Sequence, residues 1–180
     1  MMIPKLETER LTLRGPAGQD VNAFVDFFTS QRSIHVGGPL TPRLAWRMFA
    51  AEIGHWHIMG CGMWTVTLKG DDTALGLVGC WHPADWPERE IGWLLWENAE
   101  GKGYALEAAS AARDFAFGSL AWTTAVSYIE ANNVRSIRLA ERLGAKLDRN
   151  AKYPGDSNGL VYRHPRSLGI DGDGGVEAYS

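Results

Sequence analysis

The chain has 180 residues, a formal net charge of −3 and 45% hydrophobic residues. This length allows one domain with a substantial core, and the slightly acidic charge argues against a nucleic-acid partner. No apolar run approaches the roughly 20 residues that span a bilayer, and the N-terminal residues lack the apolar core of a signal peptide. Cys61 and Cys80 lack metal-ligand spacing and are interpreted as free thiols. We therefore expect a cytoplasmic protein without a membrane partner.

The elements before the centre of the chain are predicted from periodicity and turn residues. A short strand alternates Leu11 and Leu13 with polar residues. Asp20 is a candidate N-cap for the first helix, and Thr41 is one for the second, which has Pro42 at its first position. In order, we predict strand 10–14, a helix from 21 to 28, a loop at 33–39, a helix from 42 toward 57, and a hairpin of strands 63–68 and 74–81. The apolar residues of the second helix are Leu44, Met48, Phe49 and Ile53.

The stretch 90–117 organises the rest of the chain. The apolar run 91–96 is typical of a buried strand, within a predicted strand 88–96. The polar segment 97–103 contains two glycines, and the alanine-rich segment 104–117 has apolar residues at helical spacing. After it we predict a strand at 122–129, a helix at 134–143, and strands at 145–149 and 160–163. The order of elements predicts a mixed α/β sheet.

A strand followed by a glycine loop and a helix can form an anion site. The first turn of a helix has unpaired N–H groups and partial positive charge. Gly101 and Gly103 allow close approach of a phosphate, and Lys102 adds a positive charge. Because Leu106 replaces the third glycine, the loop is not a dinucleotide fingerprint, and without G-K-[ST] it is not a P-loop.

Two motifs together resemble the GNAT superfamily of acyl-CoA-dependent N-acyltransferases, and most closely its RimJ/RimL-like branch. The first is Asn98-x-x-Gly101-x-Gly103, followed by Tyr104-Ala105; Asn98 stands where the family has Gln or Arg. The second is Asn133-x-x-Ser136, followed by Leu143-Gly144-Ala145. The opening segment 6–14 is also similar to the first strand of this branch.

The resemblance implies a GNAT-like central mixed, mostly antiparallel sheet with splayed central strands, flanked by helices. It also implies that acetyl-CoA is the cosubstrate and that no metal is required. The pantetheine arm would lie between the two splayed strands and pair with the backbone near Trp93, Leu94 and Leu95. The implied cofactor-binding residues are Trp93, Leu94, Leu95, Asn98, Gly101, Lys102, Gly103, Tyr104, Ala105, Asn133 and Ser136.

Acyl transfer to an amine needs a proton acceptor, and the departing thiolate can use a proton donor. Glu90 is the first candidate for general base, because burial beside aromatic residues would raise its pKa. The alternatives are a surface glutamate paired with Arg89, His82 as the base, or a water relay. Ser136 occupies the family position proposed to assist the thiolate. Ala140 stands where many relatives have a tyrosine acid, which excludes that acid here.

Other residues admit structural interpretations. Asn133 also suits a helix N-cap. His55 and His57 point to different faces of a helix, so they are unsuited to hold a metal together. Trp86 is the tryptophan most expected to meet substrate. Arg135, Arg138 and Arg142 lie near one helical face and could contact phosphate or solvent.

We expect one N-acetyltransferase domain at 1–165 and a disordered tail at 166–180. The predicted activity is acetyl transfer from acetyl-CoA to a primary amine of a small molecule or peptide. Two alternatives stay open: a catalytically weak acyl-CoA-binding sensor module, and a nucleotide-binding α/β protein. A homodimer is possible, because the family often forms one. The sequence does not specify the acceptor or the acyl length.

Overall fold

A computed structural model describes residues 2–155 and 159–166. Within these residues, no helix is both long and apolar enough to cross a membrane. Apart from Arg166, the predicted tail lies outside the described residues. The strands are β1 (Leu6–Glu7), β2 (Leu11–Arg14), β3 (Met63–Leu68), β4 (Gly76–Trp81), β5 (Glu90–Leu95), β6 (Val126–Glu130), β7 (Lys146–Leu147) and β8 (Gly159–Arg163); the helices are α1 (Val21–Thr29), α2 (Pro42–Met59), α3 (Tyr104–Gly118) and α4 (Val134–Arg142).

The strands form one sheet in the order β1-β2-β3-β4-β5-β6-β8-β7. The neighbours pair antiparallel except β5 and β6, which run parallel. The predicted hairpin is present as β3 and β4. This architecture confirms the predicted mixed, mostly antiparallel sheet flanked by helices.

Helices cover both faces of the sheet. On one face, α3 buries Ala108, Ala109, Ala112 and Ala116 completely. Alanine has no side chain beyond Cβ, so the helix axis lies close to the strands. On the other face, α1 and α2 pack an aromatic cluster that includes Phe24 and Phe49 against Leu77 and Leu94 of the sheet.

Two local predictions, one for the start of α1 and one for the segment that follows it, were wrong. Asp20 does not cap α1 with its side chain. Its carboxylate instead accepts two hydrogen bonds of 2.8 Å from Arg14 and one of 2.9 Å from the Thr65 hydroxyl. A buried acid is stabilised more by a guanidinium than by a helix N-terminus, since the pair is charge-assisted. The predicted loop at 33–39 begins as a 3₁₀ helix, Gln31–Val36.

The helix α2 begins as predicted but buries a different face. The Thr41 hydroxyl accepts a hydrogen bond from the Leu44 N–H at 3.4 Å, as an N-cap does. Leu44, expected in the apolar stripe, is 46% exposed. Glu52 and His55, both polar, are buried toward the sheet together with Phe49 and Trp56. The helix therefore places an acid where its sequence pattern predicts a hydrophobic residue.

Candidate active site

The parallel strands β5 and β6 diverge almost at once. They share one register pair, Glu90 with Val126, where the Val126 N–H donates to the Arg89 carbonyl at 3.0 Å. The Ser127 hydroxyl then donates to the Ile91 carbonyl at 2.5 Å, in place of a backbone partner. Residues 91–95 and 127–130, all described, form no further pairs with each other. The predicted splay is therefore present, and a cavity of about 970 Å³ opens at it.

Most of the predicted cofactor-binding residues meet in this cavity. Those lining it are Trp93, Leu94, Leu95, Gly101, Gly103, Tyr104, Ala105, Asn133 and Ser136. Asn98 lies outside the lining, exposed in the 3₁₀ turn Glu97–Ala99. Lys102 is also exposed and outside the lining, and its carbonyl accepts a hydrogen bond of 3.0 Å from Arg10.

The glycine loop places the N-terminus of α3 at the cavity. Gly101 and Gly103 have φ values of 74° and 81°, which side-chain-bearing residues rarely adopt. The helix begins at Tyr104, directly after this loop, so the N–H groups of its first turn lie at the end of the cavity. Glu107 fixes this end by accepting hydrogen bonds from the Arg10 guanidinium at 2.7 Å and the Thr8 hydroxyl at 2.5 Å. The arrangement can hold an anion.

The helix α4 supplies the opposite wall. The Asn133 side chain accepts a hydrogen bond of 3.2 Å from the Ser136 N–H, so Asn133 is an N-cap as well as a lining residue. The Ser136 hydroxyl accepts a hydrogen bond of 3.1 Å from the Trp93 indole N–H. Among the hydrogen bonds of the described residues, none uses the proton of this hydroxyl. Ser136 can therefore donate it to a group in the cavity.

Glu90 lies at the point where the strands separate. Its carboxylate accepts hydrogen bonds from the Trp86 indole N–H at 2.6 Å and from the Tyr128 backbone N–H at 3.4 Å. Burial raises the pKa of Glu90 to about 7, although both hydrogen bonds favour the charged form. A carboxyl group with this pKa can accept a proton near neutral pH. The cavity lining does not include Glu90.

The His55 imidazole is held in place by two hydrogen bonds. The ring Nδ1–H of His55 donates to the Cys61 carbonyl at 2.7 Å, and its Nε2 accepts from the backbone N–H of His82 at 3.0 Å. Burial lowers the pKa of His55, and the two hydrogen bonds fix the tautomer that carries its proton on Nδ1. Both ring nitrogens are used, and His57 is exposed. Residues 2–155 and 159–166 contain no cluster of three or more potential metal ligands.

Sequence analysis missed three polar groups around the site. Glu52 is 5% exposed, and its Oε2 has no hydrogen-bond partner in the described part of the chain. His35 contacts Glu130 at 2.6 Å beside the cavity. Arg32 lines the cavity and bonds Glu100 of the glycine loop at 2.5 Å. In the sequence, Glu52 could have been found as a charged residue on a buried helical stripe. The positions of His35 and Arg32 depend on how the 3₁₀ segment packs, which the sequence pattern does not show.

The tryptophans divide between core and site. Trp56, Trp64 and Trp96 are buried in the core, whereas Trp81, Trp86 and Trp93 remain partly exposed. Three of them, Trp64, Trp81 and Trp93, lie in strands, where alternate residues point to opposite faces of the sheet. The Trp86 indole N–H donates a hydrogen bond to the Glu90 carboxylate.

The splayed strand pair and the helix N-terminus at the end of its cavity are the features that the family resemblance predicts. Residues 10–146 match the family described as Acetyltransferase (GNAT) domain. The chain belongs to this family and is an acyltransferase, as predicted.

Solved structures agree with this assignment. The chain is 44% identical to an acetyltransferase from Agrobacterium tumefaciens str. C58, with a TM-score of 0.87 over 92% of this chain and 96% of that one. A GNAT-family acetyltransferase from Bacillus anthracis is 20% identical, with a TM-score of 0.71 over 89% of this chain and 96% of that one. RimL, a ribosomal L7/L12 alpha-N-protein acetyltransferase, is 15% identical, with a TM-score of 0.68 over 91% and 94%. The last two similarities show the shared fold.

Proposed function

We propose that this enzyme transfers an acetyl group from acetyl-CoA directly to a primary amine of a small molecule or peptide. The observation that carries the proposal is the cavity between β5 and β6. It runs from the strand backbone at Trp93 to the N-terminus of α3 at Gly103 and Tyr104. It thus combines an unpaired strand edge with an anion site, as a pantetheine arm joined to a pyrophosphate requires.

The residues present fit acetyl-CoA. The cavity volume of about 970 Å³ lies near the upper end of small-molecule sites, roughly 300–1,000 Å³. The space beside Gly101, where a Cβ would stand, is open within 4 Å. Three arginines of α4, at positions 135, 138 and 142, line the same cavity and can contact phosphate groups. The donor set contains nothing that calls for a metal.

The chemistry divides between two residues. Acetyl-CoA would supply the acetyl thioester, and the acceptor nitrogen would attack its carbonyl carbon. Glu90, with its pKa near 7, accepts a proton from the acceptor amine. Ser136 donates its hydroxyl proton toward the departing sulfur and is reprotonated from solvent. The products are the N-acetylated amine and CoA thiol, with no covalent intermediate on the enzyme.

Ligand-dependent thermal stability tests the cofactor assignment. We compare acetyl-CoA, CoA and ATP with the wild type and with Ala105→Glu. Ala105 lies in the first turn of α3 and lines the cavity. A glutamate there suits the helix dipole but repels phosphate. Ligand well above its Kd should stabilise the wild type by about 3 kcal/mol. The two CoA ligands should raise the Tm of the wild type and not that of Ala105→Glu.

Leu44→Glu is the matched control. It places the same charge in the exposed first turn of α2, three residues after the N-cap Thr41. This position completes a capping box, so the fold should tolerate it. Leu44→Glu should retain the full CoA shift. A shift with ATP alone, or no CoA shift in the folded wild type, would refute acetyl-CoA as cosubstrate.

We further propose a cytoplasmic location, supported by Cys61 and Cys80, which are free thiols. A homodimer stays a prediction, and so does the absence of nucleic-acid and membrane partners.

A further inference from the structure

Two carboxyl groups face each other between α2 and the sheet. Glu90 stands opposite Trp81 in the β4–β5 register, on the face that α1 and α2 cover. Glu52 projects from α2 toward the same face and is 5% exposed. Trp81, the register partner of Glu90, stacks on His55 with ring centroids 4.4 Å apart, and this brings the Glu52 turn of α2 over Glu90. The negative charge on Glu90 accordingly contributes to a raised pKa of Glu52. Burial contributes most, and the pKa of Glu52 is about 8.

Two glycines of the sheet lie beside Glu90. Gly79 and Gly92 are register partners on the same face of the sheet. A Cβ built on Gly92 would lie 3.9 Å from Glu90 Oε1 and 3.6 Å from the Met63 side chain. Gly92 therefore presents no side chain to the carboxylate, and Glu90 itself remains partly exposed, whereas the Gly62 carbonyl and the Met63 backbone fill the space over Gly79.

Neither carboxyl group has a cationic partner among the described residues. Glu52 Oε2 is buried without a hydrogen-bond partner there. His55, one turn further along α2, is neutral, because the Cys61 carbonyl and the His82 N–H use both ring nitrogens. Tyr128 is uncharged, with a pKa raised to about 12. Arg163, on β8 opposite Val126 of β6, already pairs with Glu88 and Asp148.

A buried acid without a partner is costly, and in native structures such groups usually bind something. A cation or a hydrogen-bond donor satisfies these carboxyl oxygens and favours their charged form, whereas an anion does not. Trp81 and Trp86 flank the pair, and aromatic faces favour organic cations. A primary ammonium group is a cation, it donates hydrogen bonds, and as an organic cation it suits the aromatic faces.

We propose that Glu52 and Glu90 together bind the acceptor as an ammonium ion, and that the acceptor carries no carboxylate next to its amine. This inference rests on the proposed function. Glu52 ionises when the ammonium ion binds and pairs with the positive charge, while Glu90 takes one proton from the ammonium nitrogen. The neutral amine then attacks and its second proton is released to solvent. Ser136 protonates the departing thiolate and is reprotonated from solvent, and Glu90 returns its proton to solvent. Free α-amino acids are thereby disfavoured as acceptors, because their carboxylate would face Glu52.

Binding measurements test the site without requiring turnover. We titrate phenethylammonium, phenethyl alcohol and phenylalanine into the CoA-loaded protein and into the free protein at pH 7.5 by calorimetry. The three probes share an aromatic body and differ in the cation and the adjacent carboxylate. In the wild type, phenethylammonium should bind at least tenfold tighter than the other two. Glu52→Gln should weaken phenethylammonium at least tenfold and leave the CoA-induced Tm shift unchanged.

Glu9→Gln is the matched control, since it removes one exposed carboxylate in the turn between β1 and β2. It should bind phenethylammonium as the wild type does. Equal affinity for the three probes, or unchanged affinity in a folded Glu52→Gln, would overturn the ammonium site while leaving the cosubstrate assignment intact. If CoA fails to bind, the proposed function falls, and the titrations of the free protein still decide the ammonium site.

Discussion

The Trp93 indole N–H donates a hydrogen bond of 3.1 Å to the Ser136 hydroxyl, and this bond crosses from β5 to α4. Both residues line the cavity between the splayed strands. The bond occupies an acceptor lone pair of the hydroxyl and leaves its proton free. It therefore orients Ser136 as a donor toward the cavity.

Ser136→Ala should lower kcat by about ten- to a hundredfold, with the KM for acetyl-CoA little changed. The effect should lie at the lower end of general acid catalysis, because a thiolate with a pKa of about 8.5 is already a fair leaving group. Release of CoA thiol, measured against varied acetyl-CoA, separates kcat from KM. Trp93→Phe keeps the ring but removes the N–H, so it should cost less than Ser136→Ala. An unchanged kcat in Ser136→Ala would exclude its role as a proton donor.

The sequence predicted the parts of the site that depend on local chain geometry. Gly101 and Gly103 indicated a loop with positive φ before a helix, and both values are found. Asn133 suited an N-cap and is one. These features follow from backbone preferences within a few residues, which a single sequence records well.

The remaining features depend on contacts between distant residues. The splay rests on Ser127, whose hydroxyl reaches the carbonyl of Ile91, 36 positions away. Periodicity in α2 predicted Leu44 in the core, yet the helix turns Glu52 toward the sheet. The splay was expected from family resemblance alone, because no pattern of residues indicates that two neighbouring strands do not pair. Burial of an acid contradicts the pattern that sequence analysis relies on, and such conflicts concentrate at functional sites.

Glu90 should titrate near pH 7 in the folded protein. Its ordinary pKa is 4.5, and burial raises it to about 7 against two favourable hydrogen bonds. Transfer should therefore decline as the pH falls below about 7, because the base becomes protonated. Carbon-13 NMR of labelled glutamate carboxyl groups, in the Glu52→Gln background, measures this pKa directly. The resonance titrating near 7 should disappear in Glu52→Gln/Glu90→Gln.

Trp86→Phe is a second test of the pKa of Glu90, and the direction of the expected change is defined. The Trp86 indole N–H donates to the Glu90 carboxylate and favours its charged form. Removing this donor should raise the pKa of Glu90 further, and the acidic decline in rate should move to higher pH. A pKa that falls in Trp86→Phe would contradict the assigned hydrogen bond.

Glu52→Leu should stabilise the protein, and the gain should grow with pH. In the folded state the pKa of Glu52 is about 8, whereas its ordinary value is 4.5. Between these values the native state holds a proton that the unfolded state has lost, so the free energy of unfolding falls by about 1.4 kcal/mol per pH unit from this group. Urea unfolding at pH 5, 6.5 and 8 measures the difference between Glu52→Leu and the wild type. It should be small at pH 5 and largest at pH 8, while Glu9→Gln should show no such trend. A loss of stability at pH 8 would mean that Glu52 has a partner that stabilises its charged form. A gain accompanied by lost phenethylammonium affinity would show that the buried acid serves binding at the expense of stability.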